Sequence, residues 1–130
     1  MSETQAEYKV PTLTKEQIQA EIAYLAEAEH VRSYDIGNSS FNSAHEGYAV
    51  IKEEVEETAD EAKKLVSQSG ILWSAIKQDK HDFAECTARD IYQTALAVAY
   101  EAIQAAAMAR KYLDSLGSGV TWGDILDDVS

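Results

Sequence analysis

The chain of 130 residues has little of what breaks helices or cross-links chains: one proline, six glycines and one cysteine. The lone Cys86 excludes an internal disulfide, which is typical of a reducing compartment, and we expect a cytoplasmic location. Few helix breakers and abundant alanine and glutamate favour helix almost throughout. The sequence therefore predicts an all-α protein, in which Cys86 is expected to be a small buried residue.

Positive charge is also scarce. There are 11 Lys and Arg residues against 23 Asp and Glu residues, so the formal net charge is −12. Without a basic stripe, direct binding to nucleic acid is not expected, and a small anion could bind only through a bridging cation. No membrane association is expected either, because the apolar run at 95–109 is shorter than a spanning helix and contains a charge.

Caps and breakers divide the chain into three parts: a flexible N-terminus (1–11), a single helical domain (12–116) and an acidic C-terminal tail (117–130). One domain agrees with the length of the chain. A loop rich in turn-forming residues is predicted at 33–42.

Three helices are predicted in the domain, the first two beginning at capping boxes. Their expected spans are about 14–30, 43–68 and 79–116. We expect Ser69–Gly70 to end the second helix and a short amphipathic turn to follow at 71–77. Asp79 is the predicted cap of the third helix, and Thr87–Asp90 could form a further cap that breaks it.

Apolar residues of the second helix recur at alternating steps of four and three, which is the spacing of one buried stripe. The stripe consists of Ala44, Tyr48, Ile51, Val55, Thr58, Ala62 and Leu65. Tyr48 and Trp73 are therefore expected in the core. In the third helix, 95–109 is apolar on nearly all sides, so it should be covered on several sides. Three helices give thin cover, and we expect oligomerisation to complete the bundle, as a homodimer or homotetramer.

A second stripe on the same helix carries Glu54 and Glu57, which are neighbours at the edge of the buried face. Glu101 and Gln104 interrupt the apolar run at 95–109. An ionised carboxylate in such surroundings is costly, so Glu101 must take up a proton, meet a basic residue, or join Glu54 and Glu57 around a divalent cation. A site of oxygen ligands suits Mg²⁺ or Mn²⁺, and Gln104 could add a neutral oxygen or hold a water.

Two simpler interpretations remain open at this stage. Glu-rich helices commonly present a solvated face, which would explain Glu53–Glu61 without any ligand. Glu101 alone could be a core residue with a basic partner.

The segments "HEGYAVIKEEVEET" (45–58) and "EAIQAAAMARKYL" (101–113) resemble the MazG-like members of the all-α nucleoside triphosphate pyrophosphohydrolase family, specifically the small phage and prophage versions. That family carries an EExxE motif on one helix and an ExxD motif on a later one. Residues 53–57 match the first motif in full. The second motif is matched only at Glu101, because Gln104 replaces its Asp. The resemblance covers roughly residues 40–115.

The resemblance implies a four-helix bundle, dimeric or tetrameric, that binds Mg²⁺ and hydrolyses an NTP or dNTP between its α- and β-phosphates. The products are a nucleoside monophosphate and pyrophosphate. By the roles of the matching motif positions in that family, the metal ligands would be Glu54, Glu57 and Glu101. Glu53 would orient or activate the attacking water. Gln104 would be a weak or water-mediated ligand.

Residues outside the motifs are candidates for contacting the substrate. Lys52 could contact phosphates, and His45 could stack on a base or sugar. Arg110 lies on the opposite helix face from Glu101, so we expect it to form a salt bridge or an interface contact. The alternative function is a non-catalytic, phage-type helical-bundle binding or assembly protein, and Gln104 is the residue that most favours it.

Overall fold

The computed structural model describes residues 9–35 and 40–117. Within them the chain forms three helices, α1 (Lys15–Asp35), α2 (Ala44–Lys77) and α3 (His81–Ser115), and no strand. The predicted all-α class and helical bundle are confirmed. The predicted tail at 117–130 and the N-terminus at 1–11 lie largely outside the described residues. Of the predicted loop at 33–42, only 36–39 lie outside them. The loop is wrong at 33–35, because α1 continues to Asp35 instead of ending near residue 30.

Both predicted capping boxes form. At the start of α1, the backbone N–H of Gln17 donates to Thr14 Oγ1 at 3.1 Å, and the Thr14 N–H donates to Gln17 Oε1 at 2.9 Å. At the start of α2, Glu46 N–H donates to Ser43 Oγ, while the Glu46 carboxylate accepts from the backbone of Asn42. These bonds satisfy amide groups that have no partner inside the helix.

Two further predicted helix boundaries, at Ser69–Gly70 and at Asp79, are wrong, and the possible break within the third helix is absent. Helix α2 continues through Ser69–Gly70 to Lys77, because one glycine costs a helix only about 1 kcal/mol and packing on α3 outweighs that. Helix α3 is unbroken at Thr87, whose hydroxyl donates to the carbonyl of Phe83 in the preceding turn. Asp79 does not cap α3: it lies in the turn with φ of 56°, and Lys80 is the N-cap.

Helices α2 and α3 form an antiparallel hairpin, and residues early in α2 meet residues late in α3. A Cβ on Gly47 would lie 2.5 Å from Tyr112 Cδ1, so the close approach of α3 at this point requires glycine. The less exposed residues recur at alternating steps of three and four, from Gly47 to Ala75 on α2 and from Ala84 to Ser115 on α3. This is the spacing of a coiled-coil seam.

Helix α1 packs on α3 and, as far as the structure describes, not on α2. One flank of α1 carries His30, whose Nε2 lies 2.8 Å from Asp114 near the end of α3. The opposite flank carries Arg32, which lines a groove of about 270 Å³ with Tyr100, several turns earlier in α3. Helix α1 therefore lies across α3 rather than alongside it.

The core of the single chain is thin. Among the described residues, the buried hydrophobic side chains are all alanines: Ala23, Ala75 and Ala107. The predicted stripe of α2 is wrong in part, because the seam follows Gly47 and Glu54 and leaves Tyr48 and Val55 more than half exposed. Trp73 and Cys86 are also exposed, contrary to expectation. None of the described helices is both long and apolar enough to cross a membrane.

Candidate functional site

Three carboxylates from two helices converge midway along the α2/α3 hairpin. Glu54 and Glu101 lie on the seam, and Glu57 lies one turn after Glu54. Each side chain offers one carboxylate oxygen, and these oxygens all lie within 4.8 Å of one another. Glu54 and Glu101 are half-buried, while Glu57 is open to solvent. The structure therefore brings together the three acids that the sequence proposes as metal ligands.

Burial and the neighbouring carboxylates both disfavour the ionised forms of Glu54 and Glu57 in this carboxylate cluster (Glu54, Glu57 and Glu101). Burial, followed by the charges of Glu57 and Glu101, raises the pKa of Glu54. A hydrogen bond with Glu101, followed by burial, raises the pKa of Glu57. No ion pair within the described part of the chain links a Lys or Arg to any of the three. Without a basic partner, a bound cation would compensate the charge of the ionised cluster.

The donor set of the cluster fits a small divalent cation. Mg²⁺ binds oxygen ligands at about 2.1 Å, so two oxygens on one ion lie at most about 4.2 Å apart. The cluster oxygens, within 4.8 Å of one another, need only small side-chain rotations to reach that spacing. The cluster can therefore present three carboxylate oxygens to one cation.

Gln104 lies one turn after Glu101, on the side of α3 that faces α1. Its Nε2 is inaccessible to solvent and makes no hydrogen bond within the described structure. It lies beside Glu29 of α1, whose pKa is lowered mainly by a hydrogen bond from Arg32. Gln104 is thus at the boundary between the cluster and α1.

The structure leaves the other predicted site residues outside the cluster. Glu53 is exposed beside it, close enough that its charge contributes to raising the pKa of Glu54. Lys52 Nζ donates to Glu56 at 2.6 Å on the outer face of α2. His45 is exposed in the first turn of that helix. Their proposed roles remain predictions.

Arg110 forms the salt bridges that its position on the helix predicts. Its Nε donates to Glu27 of α1 at 3.2 Å, and its Nη1 donates to Asp114. Asp114 also accepts from Tyr34 at 2.5 Å and contacts buried His30. These polar contacts stabilise the packing of α1 on α3. Arg110 therefore has a structural role within the described chain.

The contribution of α1 was missed from the sequence. Arg32 and Tyr100 line the groove beside Gln104, and Arg32 Nε donates to Glu29 at 2.8 Å. The spacing of Glu29 and Arg32 by three residues signals an ion pair on one helix face. The spacing does not indicate which helix that face contacts, because the contact depends on how α1 crosses α3.

No protein-family model, curated protein or solved structure matches this chain. The family resemblance therefore depends on the motifs alone, and functional inference depends on the geometry of the cluster.

Proposed function

We propose that this chain is a metal-dependent nucleotide pyrophosphohydrolase, which hydrolyses an NTP or dNTP between its α- and β-phosphates to a nucleoside monophosphate and pyrophosphate. The observation that carries the proposal is the convergence of the Glu54, Glu57 and Glu101 carboxylates within 4.8 Å. Ionised carboxylates this close together destabilise the folded chain by mutual repulsion. A cation bound between them would replace that repulsion with attraction.

The carboxylate cluster would hold Mg²⁺ or Mn²⁺, with Gln104 as a weak or water-mediated fourth group. When bound, the cation would offset the charge of the triphosphate against a protein of net charge −12 and lower the pKa of a bound water. These are the main requirements of phosphoanhydride hydrolysis, which needs charge neutralisation and an aligned water more than a protein nucleophile.

Glu53 is the proposed catalytic residue. It is exposed beside the cluster, where its carboxylate can orient a water and accept its proton. In the net reaction the water oxygen forms a bond to the α-phosphorus, the α–β anhydride bond breaks, and pyrophosphate leaves with the bridging oxygen. Lys52 and His45 are the proposed substrate contacts, and Lys52 would have to release Glu56 to act.

The same proposal includes the type of bundle, its completion by a second copy and its location. We infer a bundle of the all-α NTP pyrophosphohydrolase type, completed by a second copy of the chain and located in the cytoplasm. One chain buries few hydrophobic side chains, because the described hydrophobic core contains only alanines. This supports the presence of a second copy. Self-association would cover side chains that one chain leaves in water.

Release of pyrophosphate from a panel of NTPs and dNTPs, with Mg²⁺ or Mn²⁺, tests the proposal. We expect release from at least one nucleotide, dependent on the cation and abolished by EDTA. Absence of release from every nucleotide, together with no calorimetric signal for cation binding, would remove the enzymatic assignment.

A non-catalytic binding or assembly protein is the second candidate function. Two observations favour it: an amide stands at Gln104 where the family motif has an acid, and Lys52 is engaged with Glu56. This candidate predicts a stable helical bundle that binds a cation weakly and turns over none of the nucleotides.

A further inference from the structure

A groove of about 270 Å³ lies between α1 and α3, on the side of their crossing away from Asp114. The described residues that line it are Leu25, Ala28, Glu29, Arg32, Tyr100 and Ile103. None of these belongs to the carboxylate cluster. Pockets for complete drug-sized ligands hold about 300–1,000 Å³, so the size of this groove suits one flat ring system rather than a whole nucleotide.

The walls of the groove suit an aromatic ring. Tyr100 is 51% exposed and Leu25 is 47% exposed, so both leave surface open to a ligand. Stacking on a tyrosine ring favours every nucleobase, because each base has a π face. Ile103 and Ala28 add aliphatic surface. These groups can hold a planar base, but they do not choose among bases.

An ion pair supplies the polar groups of the groove. Arg32 Nε donates to Glu29 at 2.8 Å, and this hydrogen bond is the main cause that lowers the pKa of Glu29. Glu29 is therefore an ionised acceptor at neutral pH. A carboxylate has several acceptor sites and a guanidinium several N–H donors, so each group keeps capacity for a ligand. The pair presents an acceptor and a donor side by side.

The groove adjoins the carboxylate cluster along α3. Tyr100 directly precedes Glu101, and Gln104, one turn after Glu101, lies at the boundary between the cluster and α1. Neighbouring residues of a helix point about 100° apart, which places Tyr100 and Glu101 on adjoining sides of α3. A nucleotide can span this corner, with its phosphates at the cluster and its base in the groove. His45, the other candidate for the base, precedes Glu54 by nine residues, about 13.5 Å along α2.

Among the common bases, guanine uses the ion pair of the groove most fully. Its Watson–Crick edge carries the acceptor O6 next to two donors, N1–H and the N2 amino group. The Arg32 guanidinium can donate to O6 while the Glu29 carboxylate accepts from both donors. Adenine, cytosine and uracil each have only one donor group on that edge, so Glu29 would accept from a single group of those bases.

We propose that the groove between α1 and α3 binds the base of a guanine nucleotide, so that the substrate of the proposed hydrolase is GTP or dGTP. Tyr100 stacks on the base, Glu29 accepts from its N1–H and N2 amino group, and Arg32 donates to its O6. The position of the triphosphate at the carboxylate cluster rests on the proposed function. Binding of the base itself requires no cation.

Titration of the ¹⁵N-labelled full chain with guanosine in EDTA, followed by nuclear magnetic resonance, tests the base site without cation or triphosphate. Inosine is the matched ligand, because it lacks only the N2 amino group. Adenosine carries an amino group in place of O6 and has no N1–H. We expect guanosine to shift the amide signals of Glu29, Arg32 and Tyr100. It should bind about tenfold more tightly than inosine, which loses one hydrogen bond to a charged acceptor, and adenosine should bind more weakly than guanosine.

Variants of the full chain assign the base site to the groove. Glu29→Gln should remove the preference for guanosine over inosine, because an amide turns one acceptor oxygen into a donor. Glu16→Gln is the control, since Glu16 is exposed in the first turn of α1. Tyr100→Phe should keep the affinity for guanosine, and Tyr100→Leu should lower it by about tenfold through lost stacking. Circular dichroism identifies any variant that fails to fold.

Equal binding of guanosine and inosine by the wild type, or no binding of guanosine at millimolar concentration, would overturn the proposed base site. A preference for guanosine that survives in folded Glu29→Gln would overturn it as well. None of these results depends on turnover or on cation binding. Conversely, a chain that binds guanosine in EDTA as expected but releases pyrophosphate from no nucleotide would contradict the proposed function and leave the base site standing.

Discussion

Glu57 of α2 and Glu101 of α3 place carboxylate oxygens within 4.8 Å of each other, and their hydrogen bond raises the pKa of Glu57. The two residues are distant in the chain, and the heptad-spaced seam of the hairpin brings them together. Ionised carboxylates this close repel each other, and a cation between them would relieve that repulsion. The site is therefore electrostatically strained as it stands, which is the basis of the predictions on metal binding.

Replacing a cluster carboxylate by its amide should abolish most turnover. Glu54→Gln keeps the size of the side chain but removes a ligand charge, and we expect kcat/KM to fall by about 100-fold or more. Glu85→Gln is the control, because Glu85 is exposed on α3, where it pairs with Arg89. Full activity in Glu54→Gln with unchanged helicity would show that the site is elsewhere.

An acid at position 104, where the motif of the resembled family has one, should strengthen cation binding. Gln104→Asp adds a carboxylate one turn from Glu101, and we expect Mg²⁺ affinity to rise by about tenfold, measured by calorimetry. Gln93→Asp places the same substitution at an exposed position of α3 and should leave the affinity unchanged. Equal affinities for Gln104→Asp and the wild type would mean that position 104 does not face the cation.

The two described glycines within α2 should respond in opposite directions to alanine. A Cβ at Gly47 would lie 2.5 Å from Tyr112 and 3.1 Å from Phe41, so Gly47→Ala should lower the free energy of unfolding by about 1–3 kcal/mol. A Cβ at Gly70 meets nothing within 4 Å, and Gly70→Ala should raise it by about 0.5–1 kcal/mol. Urea denaturation measures both, and the same sign for both would contradict the packing at Gly47.

The polar network between α1 and α3 should make the free energy of unfolding depend on pH in the acid range. Burial alone would raise the pKa of Asp114, but hydrogen bonds from Tyr34 and Arg110 lower it below its ordinary value of 3.8. A lowered folded-state pKa contributes stability above the unfolded value and loses it as pH falls through the folded one.

Asp114→Asn should therefore cost about 1–2 kcal/mol at neutral pH, and this cost should shrink below the ordinary pKa of Asp114. Thermal unfolding at several pH values measures the difference from the wild type. Asp90→Asn, at an exposed position of α3, is the control and should show little cost at any pH. A cost for Asp114→Asn that is constant with pH would contradict the network.

The class of fold and the starts of two helices were predictable because they depend on local chemistry. The scarcity of helix breakers predicted helix. The box at Thr14 forms with both expected bonds, and at Ser43 the hydroxyl accepts from Glu46 as expected, while the Glu46 carboxylate accepts from Asn42 rather than Ser43. The end of α2 was not predictable from Ser69–Gly70, because packing on α3 outweighs a small propensity cost.

The convergence of Glu54, Glu57 and Glu101 was also predictable, because helical spacing and the cost of an isolated charge both point to it. The burial of the apolar stripe was not predicted correctly. Tyr48 and Val55 are as apolar as the seam residues, and only the closeness of α3 at Gly47 decides which stripe is covered. The position of Arg32 beside the site depends on the crossing of α1 and α3, which no local pattern encodes.

Titration of Mg²⁺ into the metal-free chain by calorimetry, at neutral pH, tests directly whether the carboxylate cluster binds a cation. The wild type and Glu85→Gln, a control at an exposed position of α3, should bind the cation with equal affinity. Glu101→Gln should lose binding by at least about tenfold. Absence of binding in the wild type, or equal binding in Glu101→Gln, would contradict the account.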